Sequence, residues 1–402
     1  MVALIPGLTV NSPSKNIHGG WWACWPLLVA AIGLPSAGAA DPRASTTKGF
    51  VVARFVTALY EGKTGRTAAW DKSDGLPECP EGLALPPETD AVLAELPAAE
   101  RQRLKRPENA QDLMIRILQR GPHNTDVCRH PESMPDPGFR IVKGKFAYGL
   151  DLDGSDGTTT PVYNCPHENF VGPNGERGID NQMYRAVGCI KGRRQGSEMY
   201  EYFNTNMRQG DYTILIELTG VDDLKNDNEV QVGFYAGQDA MMNSIDGRVA
   251  LTNTSLRVHH DRHYHAVTRG KIVAGVLTTE PVDVLFKAGP EMAPYRFRDA
   301  RFRGEIQPDG SLKGTLGGYE DIATIYSNLS ADRELVENDH EGPMTCPGLY
   351  YALQRLADAY PDTPGGGRCK WMSSAYEVEA VPAFVIHPKD DQQSITKAEQ
   401  AK

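Results

Sequence analysis

The chain has 402 residues, with 42 Lys and Arg against 52 Asp and Glu and a formal charge of −10. That acidic balance argues against nucleic acid or anionic lipid as a main partner, since both repel it. The length exceeds what one small core organises, so a large domain with smaller lobes is expected.

The first element is an apolar run, Trp21–Pro35, preceded by Lys15 and followed by Ala37-Gly38-Ala39-Ala40. A short apolar stretch ending in small residues reads as a cleaved signal peptide over residues 1–40. The competing reading is an uncleaved anchor, against which Pro26, Gly33 and Pro35 interrupt the run. No later stretch is apolar enough to cross a membrane, so no stable insertion is expected after cleavage and the mature chain is read as periplasmic or secreted. Cleavage removes Cys24 and leaves an even set: Cys79, Cys128, Cys165, Cys189, Cys346 and Cys369. In an oxidising compartment such a set pairs as disulfides. Spacing favours local pairs, Cys79 with Cys128, Cys165 with Cys189 and Cys346 with Cys369. No C-x-x-C occurs, which argues against a cysteine-held zinc ion.

Residues 41–137 read as an N-terminal lobe with a disulfide-closed helical insert. Phe50–Tyr60, β-branched and aromatic between two glycines, predicts a strand, and Thr89–Arg106 and Asn109–Arg120 predict helices. Pro131, Pro135, Pro137 and Gly138 mark a boundary.

Residues 138–342 read as the central domain. Tyr212–Leu218, Glu229–Tyr235, Ile272–Leu277, Val282–Phe286, Ala300–Ile306 and Leu312–Leu316 predict short strands, the last two joined by a Pro308-Asp309-Gly310 turn. Helices are expected at Asn181–Ile190 and Glu198–Met207. The expected fold class is mainly β with α additions, an antiparallel β-sandwich or jelly roll. Residues 343–387 read as a second disulfide-closed lobe, with a helix over Leu349–Tyr360 and a strand over Tyr376–Ile386, and 388–402 as a disordered tail.

The strongest chemical signal is Asp151-Leu152-Asp153-Gly154-Ser155-Asp156-Gly157. Alternating carboxylates in a Gly-rich loop can gather around one hard cation such as calcium. The segment resembles the start of the calcium loops of EF-hand and thrombospondin-type repeats. It departs from the EF-hand pattern, with Asp156 where Gly is expected and no closing Glu, so the resemblance implies chemistry and not family membership. Asp180 and Asn181 offer further oxygens, and a Cys165–Cys189 bridge would bring the two patches together into one site. The competing reading is ordinary turn chemistry with Asp180 or Asn181 capping a helix. Asp222, Asp223, Asp227 and Asn228 read as a plain hairpin loop.

Four of the ten histidines fall at 259, 260, 263 and 265. On a strand His259, Asp261, His263 and His265 share a face, a set able to bind zinc, copper or iron. The opposite face is also polar, so a solvated edge strand is the stronger reading. His167-Glu168 and His340-Glu341 read as surface neighbours. H-E-x-x-H, G-x-S-x-G and G-x-x-x-x-G-K are absent. The function expected from sequence is an exported, disulfide-stabilised, calcium-binding module that binds or builds. Its partner would be a glycan, a cell-surface component or another exported protein. The alternative is a metal-dependent hydrolase or oxidoreductase using the histidine strand.

Overall fold

Two stretches from opposite ends of the chain form the seam of the fold. β1 (Thr46–Thr57) and β11 (Gly366–Ile386) run antiparallel from Gly49 opposite Ala383 to Thr57 opposite Tyr376. The computed structural model describes residues 46–60, 78–80, 93–94, 96–118, 121–159, 163, 165, 167–190, 193–194, 198–289, 292–330, 346–363 and 366–389. The expected leader and most of the expected C-terminal tail lie outside these residues.

The remaining strands are β2 (Ile214–Val221), β3 (Asn226–Ala236), β4 (Thr254–Arg257), β5 (His265–Val273), β6 (Val276–Thr279), β7 (Val282–Phe286), β8 (Tyr295–Ile306), β9 (Leu312–Asp321) and β10 (Ala359–Thr363). Antiparallel neighbours run β1-β2-β3-β5-β6-β8-β9-β11, and the β1–β11 pairing closes the circle. The result is an eight-stranded antiparallel barrel, with β4 and β10 paired to β11 and β7 to β8. This corrects the expected sandwich or jelly roll. Local pattern specifies strands, whereas closure depends on β1 meeting a strand more than three hundred positions away. Closing the sheet also removes the open edges a sandwich must protect.

Several elements differ from the local reading. Ile272–Leu277 is not one strand: Ala274 and Gly275, at φ +52° and +84°, turn β5 into β6. A two-residue turn with both φ positive matches the twist of the strands it joins. The C-terminal helix ends at Leu356, and Tyr360 belongs to β10. His259–His265 is not a strand either. Arg262–Tyr264 forms a single helical turn capped by Asp261, and β5 begins at His265.

The helices are α1 (Ala98–Leu104), α2 (Ala110–Leu118), α3 (Gln182–Val187), α4 (Glu198–Gln209), α5 (Ile322–Ser330) and α6 (Cys346–Leu356). One core fills the barrel, with Phe55, Phe286, Tyr295, Phe297 and Tyr376 in edge and stacked contact. At eight strands a barrel interior is just wide enough for side chains to fill. A second core lies outside the wall, where Val56, Leu59 and Met372 meet Tyr184 and Val187 of α3, Ile325 of α5 and Leu349 and Leu353 of α6. The described residues between 142 and 190 form a strap on this outer face, packed into the second core through Val142, Ala147, Phe170 and Ile179.

All six expected cysteines are bonded, but none pairs locally. The bridges are Cys79–Cys189, Cys128–Cys346 and Cys165–Cys369, spanning 110, 218 and 204 positions. Short spacing describes closeness in the unfolded chain. In the barrel each segment meets whichever surface the closed wall presents.

Candidate metal centre

The site is built where the strap folds back on itself. The Asp180 N–H donates to the Leu150 carbonyl at 2.9 Å, so Asp180 lies beside the acidic loop. Gly178, at φ +74°, makes the close approach possible: a Cβ there would lie 2.9 Å from the Ser155 carbonyl. The expected convergence of the two acidic patches therefore occurs for Asp153 and Asp180, through backbone pairing and not through a Cys165–Cys189 bridge.

Asp180 is fully buried. Its Oδ2 accepts the Leu152 and Asp153 N–H groups at 2.7 and 3.3 Å, and its Oδ1 lies 2.9 Å from His167 Nε2. Asp153 Oδ1 accepts the Ser155 N–H at 2.7 Å. Asp153 Oδ2 is buried with no hydrogen-bond partner and stands 4.0 Å from His167 Nε2. His167 Nδ1 lies 3.0 Å from the Cys165 carbonyl, which orients the ring. The three side chains are 2%, 6% and 0% exposed for Asp153, His167 and Asp180, and one ligand atom of each falls within 4.8 Å of the others. A third acidic group, Asp358, lies close by, one residue before β10. It accepts from the Ser373 N–H at 2.7 Å and from Ser373 Oγ at 2.6 Å, while Ser373 Oγ accepts the Gln182 N–H at 2.9 Å.

Electrostatics follow from this geometry. Burial pushes Asp358 up to about 7. Burial and then the neighbouring charge of Asp180 raise Asp153. Burial alone would lower His167, but its bond to Asp180, the charge of Asp358 and the Cys165 carbonyl outweigh that and raise it to about 9. Both ring nitrogens face oxygen acceptors, an arrangement that favours the protonated ring when no ion is bound. Tyr319 packs against the site and is held neutral by burial and by the charges of Asp358, Asp180 and Asp153. Among the described residues no Lys or Arg forms an ion pair with Asp153, Asp180 or Asp358. Three buried carboxylates against one imidazole leave excess negative charge, which a buried site tolerates only with protons or a cation.

No protein-family model, curated protein or solved structure matches the chain. Function must be read from these residues.

Among the described residues Asp153, His167 and Asp180 are the one group of three or more metal-ligating side chains close enough to hold an ion. The other candidates are engaged elsewhere. Asp151 Oδ1 accepts the Gly154 N–H, Asp156 Oδ1 accepts the Thr158 N–H, and Asp156 Oδ2 lies 3.4 Å from Arg177. Asn181 caps α3 through the Tyr184 N–H and donates to the Ala58 and Tyr148 carbonyls. The histidine set does not converge: His263 is 87% exposed beside Asp261, His259 Nδ1 accepts the Asp261 N–H, and His265 Nε2 faces the His259 carbonyl. Reading His167 with Glu168 as surface neighbours missed a buried candidate ligand. A histidine two positions after a bridged cysteine, between two acidic patches, was the available signal.

Proposed function

We propose that the protein is an exported, disulfide-stapled barrel that acts as a binding or structural module, its outer strap locked by one divalent transition-metal ion. Asp153, His167 and Asp180 would hold the ion, and it would supply the positive charge this buried acidic site lacks. The observation that carries the reading is Asp153 Oδ2, buried, without a hydrogen-bond partner and 4.0 Å from His167 Nε2. Leaving such an oxygen unpaired costs about 1–3 kcal/mol or more.

An imidazole with two carboxylates favours zinc, iron or manganese over calcium, which takes six to eight oxygens. His167 Nδ1 faces the Cys165 carbonyl, as the free nitrogen of a metal-bound histidine commonly faces a backbone carbonyl, which leaves Nε2 for the ion. The closed site supports a structural ion over catalysis, because a catalytic ion keeps a position open to substrate. Three disulfides fit an oxidising compartment, and among the described residues no helix is long and apolar enough to cross a membrane. A glycan, a cell-surface component or another exported protein remains the proposed class of partner.

The test is elemental analysis of the full chain after equilibration with zinc and gel filtration. One zinc per chain is expected for the parent, none for Asp153→Ala or His167→Ala, and one for His263→Ala. Zinc retained by both site variants, or absent from the parent, defeats the reading.

A further inference from the structure

The segment that carries His167 is fastened to the barrel by the Cys165–Cys369 bridge. Cys165 does two things at once. Its sulfur joins the strap to β11, and its carbonyl faces His167 Nδ1 at 3.0 Å. Cys369 stands opposite Pro361 of β10, on the hairpin that also presents Asp358 and Ser373 to the site. One covalent bond therefore fixes the loop bearing the imidazole against the element bearing the acidic group behind it.

We infer that the Cys165–Cys369 disulfide controls the hold of the Asp153–His167–Asp180 centre on its ion, so that reduction by a dithiol loosens the metal. The inference rests on the metal reading above and adds its regulation. Cys165 is buried, whereas Cys369 is partly exposed and follows the Gly366-Gly367 end of the hairpin. A dithiol's thiolate attacks Cys369 Sγ, the disulfide bond breaks, and Cys165 leaves as a thiolate that takes up a proton. The dithiol's second thiol resolves the mixed disulfide, so the dithiol ends oxidised and the two cysteines end reduced. His167 then loses the fixed carbonyl that orients its ring. Loss of an outer-shell partner of this kind lowers metal affinity about 10- to 100-fold. The Cys79–Cys189 and Cys128–Cys346 bridges involve none of the residues that hydrogen-bond to the three ligands.

The experiment is zinc competition against a chromogenic chelator on the oxidised full chain, on a C165S/C369S variant and on a C128S/C346S variant. A loss of about 10- to 100-fold in C165S/C369S with little change in C128S/C346S is expected. Equal or tighter binding by C165S/C369S overturns the coupling while leaving the metal reading intact. A parent chain that takes no zinc defeats both. If C165S/C369S does not fold, dithiothreitol treatment of the parent decides the matter, with alkylation mapped by mass spectrometry. Zinc release in step with alkylation of Cys165 and Cys369 supports the inference. Zinc retained after both are alkylated overturns it.

Discussion

Phe55 of β1 lies flat on Tyr376 of β11, with ring centroids 4.5 Å apart and planes within 4°. The two strands are the seam that closes the barrel, so this contact links closure to the interior core. Tyr295, Phe297 and Phe286 meet the edges of the same Phe55 ring. Phe55→Ala is expected to cost about 3–5 kcal/mol, as for other large-to-small changes in packed cores. Urea unfolding of the variant measures it, and a loss below about 1 kcal/mol would show that closure does not depend on this stack.

Stability should fall as pH rises through neutrality. Burial raises Glu320 from 4.5 to about 7, and the Tyr376 hydroxyl donates to its Oε2 at 2.9 Å. Between those values the folded chain keeps a proton that the unfolded chain has lost. The contribution is therefore complete below 4.5 and disappears as pH passes through about 7. Its size is on the order of 3 kcal/mol. Glu320→Gln should flatten this part of the profile, read as the difference in unfolding free energy between pH 5 and pH 8. Asp358 slopes in the same direction, so the flattening is partial.

Asp299 accepts hydroxyl hydrogen bonds from Tyr163 and Tyr360 while its own backbone sits at φ +48°. Tyr360 is similarly left-handed at φ +50°. Asn tolerates that region and keeps an accepting oxygen, so Asp299→Asn should stay within about 1 kcal/mol of the parent. Asp299→Val combines strain of roughly 1–3 kcal/mol with two unpaired phenols. A fall in Tm several times larger for Val than for Asn is expected, and equal falls would remove the argument from backbone strain.

Asp180 anchors two backbone N–H groups and one imidazole in a buried setting. Asp180→Ala should therefore cost roughly 3–5 kcal/mol even in metal-free buffer, because the imidazolium loses its partner. His263→Ala, at a side chain mostly in solvent, should change stability by no more than about 0.5 kcal/mol. Chemical denaturation of both variants in chelator makes the comparison.

Much of the β content was legible because strand patterning is local. Val282–Phe286 forms with the expected bounds, and β2, β3, β8 and β9 overlap their expected segments. The errors came where local pattern was silent. Ala274 gave no sign of a turn, since its positive φ is imposed by the hairpin pairing of β5 with β6. The histidines at 259–265 alternate as a strand would, yet the capping bond from the His263 N–H to Asp261 bends them into a helical turn.

The amino-acid order alone marked the six cysteines that bond, the strand-forming segments and the acidic turn at Asp151–Gly157, because each is read from neighbours within a few positions. The partner of each sulfur, the closure of the sheet and the meeting of Asp153 with His167 were decided only in three dimensions. The sulfur pairings and the closure are long-range, set by which surfaces the barrel wall brings together, whereas Asp153 meets His167 because the strap folds back on itself and pairs Leu150 with Asp180.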